Sequence, residues 1–385
     1  MAPLGPAERV LVSENFLNSV HGQLACISCH GGNPNTPLTK EAKKDAHAAE
    51  ADFVALPSEQ FEVYCSACHS DITSKFKTSL HYTQNGYFER FKVRAGGQDL
   101  STDSNMKAGF GKDCAKCHAG CGQCHVIRPV SVNSGLERAH QFYRTPSLVN
   151  NCTACHGSRV GEEFRGSHKG QTGYEHVKEA DVHYNKGMNC SACHAADEMH
   201  GDGNAYTYRL VENPDFVPQC TDCHADVLDA NTENNYHKTH VQGSTTLQCQ
   251  VCHSQTYKSC NGCHVGKGIT GSSYPTFKIG KNYLKNTSSF RTTDYALVRH
   301  IPIAPDTYDN WGGSISLSTF KAAPTWKYAT PHNIQRWTFL TDTTGTAWCG
   351  ANCHGQFDEV LLKKTDVDST YLNAELEANE PVFTD

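Results

Sequence analysis

The clearest alternation of apolar and polar positions comes late in the chain. Tyr274 to Leu284, Tyr295 to Ile303 and Trp326 to Leu340 are rich in Thr, Tyr, Phe, Val and Ile with partial two-residue alternation, which predicts short strands or a hairpin. No α/β pattern is visible upstream of them. The polar tail beyond Leu362, with Glu375, Glu377 and Glu380, reads as a helix fragment and an extended end without assignable chemistry. No run of eighteen or more apolar residues occurs, so no transmembrane helix is predicted. The opening Met1 to Pro6 also lacks the apolar stretch of an export signal, and the chain is expected to be a mature or engineered form from which that signal has been removed.

Composition changes this picture. Only 38% of the 385 residues are apolar, and 31 Gly and 15 Pro are spread among them, so protein-only cores would be thin and other apolar material must fill the interior. A net charge of -6 disfavours nucleic acid as a partner and suits basic redox proteins better. Twenty cysteines point to an oxidising or cofactor-loaded setting.

One repeated unit, Cys-x-x-Cys-His, organises those cysteines. Nine copies occur: Cys26-Cys29-His30, Cys65-Cys68-His69, Cys114-Cys117-His118, Cys121-Cys124-His125, Cys152-Cys155-His156, Cys190-Cys193-His194, Cys220-Cys223-His224, Cys249-Cys252-His253 and Cys260-Cys263-His264. A tenth, Cys349-Gly350-Ala351-Asn352-Cys353-His354, carries one extra residue between its cysteines, and with it every cysteine is used. On one helical turn, sulfurs at i and i+3 face the same side as a histidine at i+4. They can hold the edge of one porphyrin while the histidine reaches its iron. A disulfide framework gives no reason for a histidine after every pair, structural zinc would not need it ten times, and thioredoxin-like pairs would need an α/β setting. The expected cofactor is therefore haem c, ten groups covalently attached, with the ten motif histidines as proximal iron ligands. The widened Cys349 site is expected to bind as well, since Gly350 allows the loop to bulge.

Twelve histidines remain for ten sixth positions, which favours bis-histidine, low-spin haems suited to electron transfer. His21, His81, His140, His168, His183, His200, His237, His240, His300 and His332 are the expected distal ligands, with His237 and His240, one helical turn apart, able to serve two different haems. His47 and His176 sit among charged residues and are set aside as surface histidines. Met1, Met106, Met188 and Met199 are too few to contribute more than marginally.

The expected fold is mostly irregular, with short α-helices at the haem motifs, built around a continuous haem array, and a small β element in the C-terminal third. Residues 1–264 would carry nine haems. Residues 265–348 would form a haem-poor β-rich segment, which either covers the end of the array or reaches a neighbouring subunit. Residues 349–385 would hold the tenth site and the tail.

Through Ala25-Cys26-Ile27-Ser28-Cys29-His30, the doublet from Cys114 to His125, and Asp181-Val182-His183-Tyr184 ahead of Cys190-Ser191-Ala192-Cys193-His194, the chain resembles the large multihaem c-type cytochromes of respiring bacteria and archaea. The resemblance covers residues 21 to 264. It implies an extracellular or cell-surface electron conduit, with a periplasmic location as the alternative. The implied partners are other redox proteins, extracellular acceptors, or further copies of the chain in a cytochrome filament. The rival class is a multihaem reductase of nitrogen or sulfur oxyanions with one open haem site. The Cys-x-x-Cys-Lys motif found at the catalytic haem of nitrite and tetrathionate reductases is absent.

Overall fold

The computed structural model describes residues 11–35, 42, 45, 52–99, 101–113, 119–132, 134–166, 179–207, 216–229, 231, 233–255, 277–301, 311, 319, 322–342, 351–367 and 373–385. The chain forms two compact units, each drawn from several separate stretches of the sequence. The first comprises Met1–Gln84, Asp113–Cys155 and Ala195–Tyr206; the second comprises Asn85–Lys112, His156–His194 and Thr207–Asp385.

The first unit is made of short helices and little apolar core. Ser13 caps the helix Glu14–Leu17 by accepting from the Phe16 amide at 3.2 Å, and Ser79 does the same for Leu80–Thr83 through Tyr82. Phe61 packs edge-on against Phe76 and Tyr82, each at a centroid distance of 5.4 Å. Asn151 is buried and its amide group donates to the Gln123 and Ile127 carbonyls, tying the connection after the fourth motif to the fifth.

The second unit contains an antiparallel three-stranded sheet in the order β1 (Lys278–Lys281), β2 (Tyr295–His300) and β3 (Trp326–Tyr328). Each strand falls inside one of the three alternating stretches. Ile279 pairs with Leu297, and Arg299 with Lys327. Successive side chains on β2 point to opposite faces. Leu297 packs with Phe277, Ile279, Ala329 and Val251 of the eighth motif, against Cys252 and Cys353. Val298 packs with Trp326, Leu362, Val367, Val382 and Phe383 on the other face. The sheet therefore presents one face to two haem motifs and the other to the C-terminal segment. Gly280 makes this close approach possible: a Cβ there would stand 2.7 Å from Val382 Cγ1.

The C-terminal tail contains the expected helix fragment followed by a non-helical end, and what the sequence did not indicate is its burial. Glu375, Val382 and Phe383 are buried, and the helix Asn373–Asn379 lies under β3, where Asn379 Oδ1 accepts from the Thr325 and Trp326 amides at 3.0 and 2.8 Å. A third apolar cluster joins Phe91, Ala95 and Met106, so Met106 serves the core rather than an iron.

Candidate haem sites

Three of the described motifs fold as single helical turns. Cys26–His30, Cys121–His125 and Cys249–His253 are five-residue helices. At the second, sixth and seventh motifs the histidine amide bonds the carbonyl of the first cysteine at 2.9 Å, in His69 to Cys65, His194 to Cys190 and His224 to Cys220. That bond puts both sulfurs and the imidazole on one side of the turn. The fifteen described cysteines are all free thiols, so none is taken by a disulfide. Cys114, Cys117, His118, His168, Cys260, Cys263, His264 and Cys349 lie outside the described residues.

Among the described residues, seven histidine pairs face one another within the two units. In the first, His21 faces His69 at 6.0 Å between ring centroids, His140 faces His30 at 5.9 Å and His200 faces His125 at 6.1 Å. In the second, His183 faces His224 at 6.2 Å, His332 faces His194 at 6.3 Å, His237 faces His253 at 6.2 Å and His240 faces His354 at 5.9 Å. Every pair joins one motif histidine to one non-motif histidine. With metal–nitrogen bonds of about 2 Å and a nitrogen-to-centroid distance of about 1.2 Å, two imidazoles sharing one metal have centroids about 6.4 Å apart. The interplanar angles run from 18° to 82°. Stacking alone leaves that spread and the strict one-to-one mixing without a cause, whereas axial ligation of one iron tolerates any relative rotation.

The second ring nitrogens support the same geometry. Nδ1–H of His30, His125, His140 and His253 donates to the carbonyls of Val54, Tyr143, Leu11 and Gln335 at 2.8, 2.5, 2.5 and 3.2 Å. Nδ1–H of His183 donates to the Asp181 carboxylate at 2.8 Å. Each bond sets the tautomer that leaves Nε2 with its lone pair for a metal. Burial first, and the facing ring second, hold His21, His200 and His240 below the usual imidazole range, which favours the neutral ligand form.

Thiols of different motifs also meet. Cys65 hydrogen-bonds Cys121, and Cys220 hydrogen-bonds Cys249. Burial first, and the neighbouring thiol second, push up the Cys29 thiol beside Cys65 and the Cys193 thiol beside Cys223. Motifs one, two and four therefore adjoin in the first unit, and motifs six, seven and eight in the second. His237 and His240, on the helix Asn235–His240, face the histidines of motifs eight and ten and link those two sites.

His300 is a correction. Among the described residues it is not paired with a motif histidine; it points to the tail side of the sheet, fully buried, with Nε2 on Glu375 Oε1 at 2.9 Å and its ring against Trp326. The nitrogen an iron would need is already engaged. Asp181, Glu163 and Gln335 are contributors that the motif reading missed: Glu163 accepts from the His332 amide at 2.9 Å, and Gln335 joins His253 to the Asp181 segment through its bond to the Ala180 carbonyl. For Asp181 a signal existed, because an acid two residues before a helical histidine is a helix cap.

No family model and no solved structure matches this chain. Over 221 residues it is 24% identical to the dissimilatory sulfite reductase MccA of Wolinella succinogenes, covering 51% of this chain and 28% of that protein. The chain thus spans just over a quarter of the length of the relative it matches. The tenfold motif, the facing histidines and this similarity support one coarse class, a multihaem c-type cytochrome that transfers electrons.

Proposed function

We propose that this chain carries ten covalently attached haems, passes electrons along them, and delivers those electrons to the reduction of a sulfur oxyanion, with sulfite the first candidate. The seven facing pairs support the electron-transfer part. A bis-histidine iron keeps its ligands in both oxidation states, so little reorganises when an electron arrives. The similarity to a sulfite reductase supports the reductive part, and favours it over the extracellular conduit. The proposed location is the periplasm, an oxidising setting in which c-type haems and thioethers persist; no helix among the described residues is long and apolar enough to cross a membrane.

In this reading His30, His69, His125, His194, His224, His253 and His354 would hold irons together with His140, His21, His200, His332, His183, His237 and His240 respectively. The attached porphyrins supply the redox change; the chain orients the imidazoles and brings neighbouring thiols together. With His300 committed to Glu375, full closure of the other three irons must draw on His47, His81, His168 and His176. At least one of His47 and His176 would then be a ligand after all. A conduit without a catalytic haem remains the second reading, because the seven described pairs are all closed.

The test is electron paramagnetic resonance of the oxidised holoprotein, carbon monoxide binding to the reduced form, and oxidation of the reduced form by sulfite. One carbon-monoxide-binding haem with sulfite-dependent reoxidation is expected. Ten low-spin haems that ignore both reagents would leave the conduit.

A further inference from the structure

Among the described residues, Nδ1 of four facing histidines bonds a neutral backbone carbonyl, whereas Nδ1 of His183 bonds a carboxylate. The carboxylate is Asp181, 2% exposed. It caps the helix Val182–Asn185, with Oδ1 accepting from the His183 amide at 2.7 Å and from the His183 ring at 2.8 Å. Its other oxygen accepts from the Ile334 amide at 2.6 Å, while the Val182 amide donates to the Ile334 carbonyl at 2.9 Å. The segment it grips carries His332, which faces His194, and Gln335, whose carbonyl accepts from His253. One buried acid thus sits where the sites of motifs six, seven and eight are held together.

Two effects of that acid act in the same direction. A carboxylate acceptor gives the imidazole more anionic character than a carbonyl does, making it a more basic ligand that stabilises the ferric state. A buried negative charge beside the iron also favours the more positive oxidation state. We propose that Asp181 is a positioning residue that lowers the reduction potential of the haem attached at Cys220 and Cys223, setting it below the haem attached at Cys249 and Cys252, where His253 bonds only a carbonyl. Of the adjoining motifs seven and eight, the haem at motif eight is then the one on which an electron resides at equilibrium. This rests on the bis-histidine reading of the preceding section.

The experiment is a potentiometric titration of the holoprotein followed by electron paramagnetic resonance, for wild type, Asp181→Asn and Asp181→Glu. In Asp181→Asn one low-spin component should move upward by at least tenfold in its reduction equilibrium, 59 mV for one electron, with haem content by mass unchanged. Asp181→Glu, which keeps the charge, should restore most of the shift. A purely structural role would produce a high-spin signal or a lost haem without a shifted low-spin component, and that result overturns the proposal, as does an Asn variant with no component moved. Should Asp181→Asn fail to assemble, His183→Met and His237→Met each mark one haem in turn. The component marked by His183→Met must titrate lower in wild type than the one marked by His237→Met, and the reverse order overturns the proposal. A wild-type spectrum that is high-spin throughout overturns the bis-histidine reading along with it.

Discussion

A histidine offers a metal one nitrogen and its surroundings the other, and this chain shows both ways of using the pair. At His183 and His140 the Nδ1–H is taken by an oxygen and Nε2 is left facing a motif histidine. At His300 it is Nε2 that is taken, by Glu375, within a fully buried set in which Thr325 also donates to Glu375 at 2.5 Å. The two kinds should respond differently to substitution. His300→Gln is expected to leave haem content and spin state unchanged and to lower stability by about 1–3 kcal/mol through a disturbed buried acceptor, read as a loss of thermal stability at full haem loading. His332→Ala is expected to leave one iron short of a ligand, giving a new high-spin signal and one carbon-monoxide-binding haem beyond the wild-type number. If His300→Gln opens an iron instead, the assignment of His300 to the sheet is wrong.

Among the elements, the helix Asn235–His240 has the largest consequence for its length. Asn234 caps it by accepting from the Tyr236 and His237 amides at 3.0 and 3.2 Å, and residues 237 and 240 then fall three apart on one turn. That spacing made two destinations legible beforehand, whereas the identities of the haems required the fold. His237→Ala and His240→Ala should each add one carbon-monoxide-binding haem and the double variant two; a double variant equal to either single would show that both serve one iron. Asn234→Ala should cost about 1 kcal/mol, seen as a lower melting midpoint. The turn between β1 and β2 makes a separate prediction. Asp294 is held down to about 2 by Lys285 at 2.5 Å and by the Thr246 hydroxyl and amide. Its folded value lies below the unfolded one of about 3.9. The stabilisation is therefore complete above about pH 4 and fades as pH falls towards 2. Wild type should lose thermal stability across that window more steeply than Asp294→Asn.

At the scale of the whole molecule, the described buried apolar side chains gather around the sheet and in a few small clusters, while the described part of the first unit has few beyond Phe61, Phe76, Val126, Ile127 and Ala139. In the proposed reading porphyrin surface would supply further burial, so folding and haem attachment should be coupled as in small metal domains. Chain made without haem attachment is expected to show weak helical circular dichroism and no cooperative melting. Intact mass should exceed the polypeptide by ten haems; nine would remove the widened site, although His354 stands opposite His240 at the usual spacing. The sequence by itself determined the chemistry, because Cys-x-x-Cys-His is a local device: three groups on one turn need nothing from the rest of the chain. It also placed the strands, since alternation is local too. Which histidine faces which was decided only by the tertiary structure, because the partners lie up to 138 residues apart, as in His194 with His332, and no periodicity spans that distance. The same cause misplaced His300. Its apolar and aromatic neighbours suited a porphyrin and a protein core equally well, and only the fold, by bringing Glu375 under β2, separated the two.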